Sequence, residues 1–196
     1  GLDCPVEKVN WFEALYFANT VSAAEGLPEC YTLSDCNENP VGEDLECGTI
    51  TVNSPSGAVH ECEGYRLPTE AEWEFAARGG DELLYAGSNT VQDAGWVIAT
   101  SSSQTHPSAE LVSNAYGLYD MSGNVWEWIW DWYGWDYYTT ADPITNPEGP
   151  ETGEERCSRG GAWFFEDHFA RVAGRYHFEP GIRLHVLGFR LVRTVH

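Results

Sequence analysis

Only two stretches of this chain space their apolar residues for a helix, and both end before residue 81. In the first, Asn10 is placed to cap and Glu13 completes a capping box. Leu15, Ala18 and Val21 then form one apolar stripe, which Gly26 and Pro28 end. In the second, Thr69 caps, Glu72 completes the box, and Trp73, Ala76 and Ala77 face inward as far as Gly79-Gly80. Residues 81–150 show little periodicity and many turn residues. A chain with so few regular elements must build its core from large side chains. It has nine Trp, ten Tyr and eight Phe in 196 residues, each able to bury a large apolar area. Length and the lack of any repeat or linker predict one domain, 1–196. The expected class is α+β, with two helices, short antiparallel strands and much irregular structure.

Between the helices, residues 28–63 are rich in Pro, Gly, Asn and Glu, with one alternating run at Thr49-Ile50-Thr51-Val52. They read as a loop carrying a short hairpin, flanked by Cys47 and Cys62. Cys30, Cys36, Cys47 and Cys62 share this polar stretch, which predicts loop stapling in an oxidising compartment. Zinc is the competing reading, weakened by the lack of any Cys-x-x-Cys and by His60 being the one nearby imidazole. The expected pairs are Cys47–Cys62, bracketing the hairpin, and Cys30–Cys36. Cys4 and Cys157 are left over and could pair with each other. This predicts an extracellular or cell-surface protein. The start, Gly1-Leu2-Asp3-Cys4, carries neither initiator Met nor signal peptide, so it reads as a processed or truncated end, compatible with a lipid anchor on a missing N-terminus. No run of eighteen apolar residues predicts a membrane span.

Ten basic residues stand against thirty-one acidic ones, for a net charge of −21. Nucleic acid and anionic membrane surfaces are repelled by such a body. The charge is uneven, because residues 156–196 hold seven Arg and only Glu166, Asp167 and Glu179. Aromatic and aliphatic residues interrupt those arginines throughout, which predicts pairing with carboxylates of the body rather than a solvated tail.

Three motifs carry a family resemblance. They are Gly64-Tyr65-Arg66-Leu67-Pro68-Thr69-Glu70-Ala71-Glu72-Trp73-Glu74, the run Asn114 to Trp128 containing Gly117-Leu118-Tyr119-Asp120-Met121-Ser122-Gly123-Asn124-Val125-Trp126-Glu127, and Arg159-Gly160-Gly161-Ala162-Trp163 closing with Gly188-Phe189-Arg190. In this order the chain resembles the formylglycine-generating-enzyme or sulfatase-modifying-factor domain, a C-type lectin fold, from residue 5 to residue 193. An initial strand that usually precedes this start is missing. Independently of any family, Arg66 with Glu70 and Glu74 suits a half-buried ion network. Gly117 and Gly123 suit tight turns, and Trp126 and Trp128 would share one strand face with Glu127 on the other.

The resemblance implies a copper-binding cysteine pair, but those positions fall on Phe165 and Ala170. Neither replaces a thiolate, so this chemistry is not expected. The alternative, a divergent oxidoreductase of that family, rests on the resemblance alone. A metal triad of His168, His177 and His185 has spacings that suit no single helix face, and Ser101-Ser102-Ser103 near His106 lacks a nucleophile-elbow context. The resemblance also implies a structural calcium site using Asp120, Gly123, Val125 and Glu127. A second calcium site of the family is degraded at Ala94-Gly95.

The closing segment, 159–193, alternates a framework (Arg171-Val172-Ala173, Arg175, Pro180, Arg183, Leu187 to Arg190) with three clusters. These are Phe164, Phe165, His168 and Phe169; then Gly174, Tyr176, His177 and Phe178; then Gly181, Ile182, Leu184, His185 and Val186. The clusters follow neither a strand nor a helix period. The layout resembles the variable proteins of diversity-generating retroelements, treponemal members above all, where asparagine codons are randomised. Every cluster residue is reachable from such a codon by changing two bases; Glu166 and Glu179 are not. The resemblance implies a non-enzymatic, receptor-like protein that displays a diversified ligand-binding face to a protein or surface ligand, as a monomer with no cofactor beyond the calcium. The cluster side chains from Phe164 to Val186 should then be largely accessible, with Trp163, Arg171, Arg175 and Arg190 buried or paired.

Overall fold

The computed structural model describes residues 3–39, 42–140 and 145–195. Gly1, Leu2 and His196, which belong to the expected 1–196 domain, lie outside the described residues. The elements run α1 (Trp11–Ala24), β1 (Tyr31–Cys36), β2 (Cys47–Val52), β3 (Tyr65–Arg66), α2 (Glu70–Arg78), α3 (Val91–Ala94), β4 (Gly95–Trp96), β5 (Ser122–Gly123), β6 (Trp126–Trp132), α4 (Tyr137–Thr140), β7 (Arg156–Arg159), β8 (Arg175–Phe178), β9 (Leu187–Gly188) and β10 (Val192–Arg193). The two expected helices are the long ones, and α3 and α4 add single turns.

Both helices start as the sequence dictates. Asn10 Oδ1 accepts from the Glu13 amide while Glu13 accepts from the Asn10 amide, each at 2.9 Å. Thr69 and Glu72 repeat the arrangement on α2. Helix α1 buries Trp11, Ala14, Leu15 and Ala18 in the larger of two main cores, which Trp126 and Trp128 of β6 complete. Trp73 and Ala77 of α2 join Ile129 and Cys157 in the other. Strand β6 separates the two. Trp126 and Trp128 face one core, and Glu127, Ile129 and Asp131 face the other, as a two-residue period requires.

The main sheet has the order β8-β7-β6-β9. Its first two pairings are antiparallel, but β6–β9 is parallel, as is β4–β5. The sheets are therefore mixed, not antiparallel throughout. Gly123 shows why the motif needs glycine. Its φ is +78°, and a Cβ there would stand 2.3 Å from the Trp96 carbonyl oxygen.

The expected disulfides are corrected. Strand β1 pairs with β2 in a register that sets Cys36 opposite Cys47, and these two are bonded; the other bond joins Cys30 to Cys62. Thr49–Val52 is thus the second strand of a hairpin, not its middle, so Cys47 and Cys62 do not bracket it. Cys4 and Cys157 are unpaired. The Arg66 network is corrected too. Arg66 binds the capping-box carboxylate of Glu72 at 2.7 Å through both terminal nitrogens. Glu70 and Glu74, one helical turn apart, face β7 instead.

Candidate functional site

Residues 160–186 leave β7 through Gly160-Gly161 and form a short 3-10 turn at Asp167–Ala170. They then return as β8 and loop to β9. Arginines and backbone bonds fix this path. Arg159, fully buried, donates to the Gly174 carbonyl, to the Val172 carbonyl at 3.0 Å, and to Glu74. Arg175 grips both oxygens of Glu70, at 2.6 and 2.8 Å. Arg183 lies 3.3 Å from Glu13 and from Asp44, and donates to the Lys8 carbonyl. Arg190 takes both oxygens of Glu127 at 2.6 and 2.7 Å. Burial pushes the Arg190 guanidinium down, and Glu127 more than offsets this, leaving it raised. The internal pairing read from the charge pattern is present. Three of the seven arginines depart from it among the described residues: Arg156 lies between the Trp11 and Trp132 rings, and Arg171 and Arg193 are exposed with no carboxylate within 4 Å, Arg171 contacting the Tyr85 hydroxyl.

The backbone is pinned as well. Trp11 N donates to Pro180 O, Lys8 N to Leu184 O, Ile98 N to Phe165 O and Trp126 N to Val186 O. Ser101 Oγ holds Trp163 O, and half-buried Trp163 donates from its ring to His185 O. Loops anchored through main chain leave their side chains free to differ.

Four of the aromatic side chains among them form one cluster of touching rings. Trp126, fully buried, is its floor, with Phe165, Phe169, Tyr176 and Phe178 ringing it at centroid distances of 5.2–6.5 Å. These four and Leu184 are half-buried against the larger core. Phe164 is 56% and Ile182 37% exposed; His168 and His185 are exposed, and His177 is half-buried, 2.7 Å from Glu155. The clusters are less accessible than expected: Phe164, His168, Ile182 and His185 are exposed, whereas Phe165, Phe169, Tyr176, His177, Phe178 and Leu184 are half-buried because most of them pack against the larger core. Val186 is only 4% exposed, because its carbonyl is tied to β6 and its side chain turns into the core. Gly174 is half-buried, but a Cβ would meet Phe169 O at 2.5 Å, so side chains there need backbone movement. Gly181 has only the mobile end of Glu46 in the way.

Asp120, Gly123, Val125 and Glu127 do line one cavity of about 390 Å³. They do not fit a calcium cage. Both Glu127 oxygens are bound by Arg190, and Trp73 Nε1 donates to one of them at 2.6 Å. A guanidinium thus stands where the cation needs its strongest ligand. Asp120 accepts from Ala109 N. Among the described residues no cluster of three His, Cys, Asp or Glu side chains could hold a metal.

The copper chemistry fares the same. Phe165 packs on Trp126, and Ala170 is fully buried against Gly161. Cys157 is the buried free thiol, its Sγ 3.4 Å from Glu70 Oε2, and burial pushes the thiol up, away from a reactive thiolate.

Sequence reasoning missed the pair beside Cys157. Asp131 is fully buried; one oxygen accepts from Glu70 N at the start of α2 and the other has no hydrogen-bond partner among the described residues. Burial, then the Glu70 charge, push Asp131 well above its ordinary 3.8. Its folded pKa exceeds its unfolded one, so this site contributes stability at low pH and loses it as pH rises through the folded value. Asp131→Asn should therefore be more stable than the parent at pH 8 but not at pH 4, by urea unfolding. The signal was in Trp126–Trp132, where alternation sets Asp131 on the inward face with Glu127.

The sulfatase-modifying factor enzyme 1-like domain model matches residues 2–195. The chain is 31% identical to chaperone protein LppX of Paenibacillus barcinonensis over 217 residues, 99% of this chain and 71% of that one. It is 40% identical to the formylglycine-generating enzyme of Thermomonospora curvata over 150 residues, 65% of this chain and 48% of the enzyme, and so spans about half of that relative. Among solved structures, Treponema denticola variable protein 1 superposes with TM-score 0.80 at 35% identity, over 96% of this chain and 70% of that one.

Proposed function

The chain belongs to the sulfatase-modifying factor enzyme 1-like family, and from that premise we propose that it is a non-enzymatic binding protein displaying a variable face. One observation carries the reading: a partly exposed aromatic patch lies on a path that Arg159, Arg175, Arg183, Arg190 and several main-chain bonds tie to the scaffold. Large aromatics and His give contact area at low rotamer cost. An exposed apolar patch of this kind marks a contact surface. The match to a variable protein supports the same reading. Phe164, Phe165, His168, Phe169, Tyr176, His177, Phe178, Gly181, Ile182, Leu184 and His185 form the face; Val186 and Gly174 shape it from below. We place the protein at the cell surface or outside the cell as a monomer. The two disulfides favour that location, and among the described residues no helix is long and apolar enough to cross a membrane.

The alternative is an oxygen-using oxidoreductase, favoured by the identity to a formylglycine-generating enzyme. A display library randomised at Phe164, His168, His177, Ile182, Leu184 and His185 separates the two. Binders to unrelated protein targets should emerge at ordinary expression levels, and the parent should bind no stoichiometric copper(I). Stoichiometric copper with no selectable binders would establish the alternative. The calcium site enters the same account. Because Arg190 already neutralises Glu127, excess calcium and excess chelator should leave the melting temperature within about 1 °C of each other, whereas a cation that bound the folded state would raise it.

A further inference from the structure

The partner's chemistry follows from the charges around the face, and the argument rests on the binding reading above. Apart from Arg171, which is exposed, the framework cations are spent. Arg159 and Arg175 hold Glu74 and Glu70, Arg183 holds Glu13 and Asp44, and Arg190 holds Glu127. Arg156 is shut between the rings of Trp11 and Trp132, 3.8 and 3.4 Å from their centroids, and burial lowers its pKa to about 9.

The carboxylates bordering the face hold no arginine or lysine within 4 Å among the described residues; Glu166 lies 3.4 Å from the His168 ring and Asp167 accepts from the Tyr85 hydroxyl at 3.4 Å. Glu166, Asp167 and Glu179 are exposed along it. Beside its Pro180-Gly181 edge opens a cleft of about 810 Å³, with Asp35, Glu46, Glu154 and Glu179 in its walls and the Phe12 ring and Pro180 as apolar surface. None of these four carboxylates has a cationic side chain within 4 Å among the described residues; Asp35 accepts only from the Thr49 hydroxyl, at 3.2 Å. Carboxylates around a ring make a seat for an ammonium or guanidinium group, which the charges attract and the ring face contacts. The aromatic patch lies next to that seat.

We propose that the face docks a basic protein segment, in which an apolar side chain sits on the aromatic patch and a flanking Lys or Arg enters the acidic cleft. The complementary charges steer the encounter and set the register, and the apolar anchor supplies the dry contact. An acidic or neutral partner would leave the cleft carboxylates facing an unmatched surface.

The test uses a random twelve-residue peptide library panned on the intact protein and counter-selected on a Phe164→Ala, Ile182→Ala variant, which removes peptides drawn only by net charge. The surviving peptides should carry Lys or Arg next to Trp, Phe or Leu. Their affinity should fall about tenfold or more with Glu46→Gln, Glu154→Gln and Glu179→Gln combined, and their salt dependence should flatten. Face-dependent peptides that are neutral or acidic and indifferent to the three Gln substitutions would overturn this inference while leaving the binding reading intact. If every captured peptide binds the Phe164→Ala, Ile182→Ala variant equally well, the binding reading fails and takes the inference with it.

Discussion

Arg175→Ala should lower stability by about 3–5 kcal/mol, the cost of stripping a buried carboxylate of its partner. Glu70 is 3% exposed in its side chain and receives two bonds from Arg175; Arg159 stands farther off at 3.6 Å. Asp131 abuts the same carboxylate's backbone and raises the cost of any uncompensated charge there. Domains of this size have about 5–15 kcal/mol in total, so the variant should be marginal at pH 7. The paired change Glu70→Gln with Arg175→Met should cost much less than either single loss, since no charge is left stranded. Urea unfolding of the three variants checks this. A loss below about 1 kcal/mol for Arg175→Ala would mean the pair is solvated and does not fix the path of β8.

The second large effect belongs to a disulfide. Cys30 and Cys62 lie fully inside the larger core and close a loop with a sequence separation of 32. Loop-closure entropy alone gives about 3–4 kcal/mol for such a cross-link. Replacing both by Ala should cost at least that, because the lost sulfurs also leave a void. Cys36 and Cys47 have a separation of 11 and already face each other across a hairpin, so their removal should cost about 3 kcal/mol or less. Peptide mapping under non-reducing conditions should recover Cys30 with Cys62 and Cys36 with Cys47. Equal losses for the two pairs would show that the hairpin, not the core, depends on cross-linking.

How legible the molecule is in its sequence varies with the range of the interaction. Helix starts are local, and Asn10 with Glu13 and Thr69 with Glu72 announce both capping boxes without reference to anything distant. Strand alternation is local too, so Trp126, Glu127 and Trp128 divide between the two cores as read. The disulfides are not local. Their pairing depends on which strand Thr49–Val52 joins, and the partner, Tyr31–Cys36, lies upstream of the point where a hairpin looked complete. Arg66 pairs with Glu72 because the helix begins at Glu70 and so turns Glu70 and Glu74 toward β7, a rotation that residue order alone does not give.

The closing segment stands out in the sequence as a pattern. Its clusters break both periods, and the arginines between them point to fixed anchors; Arg159, Arg175, Arg183 and Arg190 all reach carboxylates of the body. Which cluster members reach solvent could not be read, because that depends on the Trp126 floor and on the single main-chain bond that turns Val186 inward. The sequence likewise could not show that Arg190 takes the Glu127 carboxylate, since their meeting requires the parallel pairing of β6 with β9.

The most direct test of the account is the melting of one variant changed at all of Phe164, His168, His177, Ile182, Leu184 and His185, to Ser or Asn, followed at pH 7 beside the parent. A face displayed on an independent scaffold predicts cooperative unfolding with each site contributing less than about 1 kcal/mol, the Leu184 position contributing most. Loss of cooperative unfolding, with the fold restored when only the aromatic and aliphatic positions are reverted, would make the patch a core and contradict the binding face.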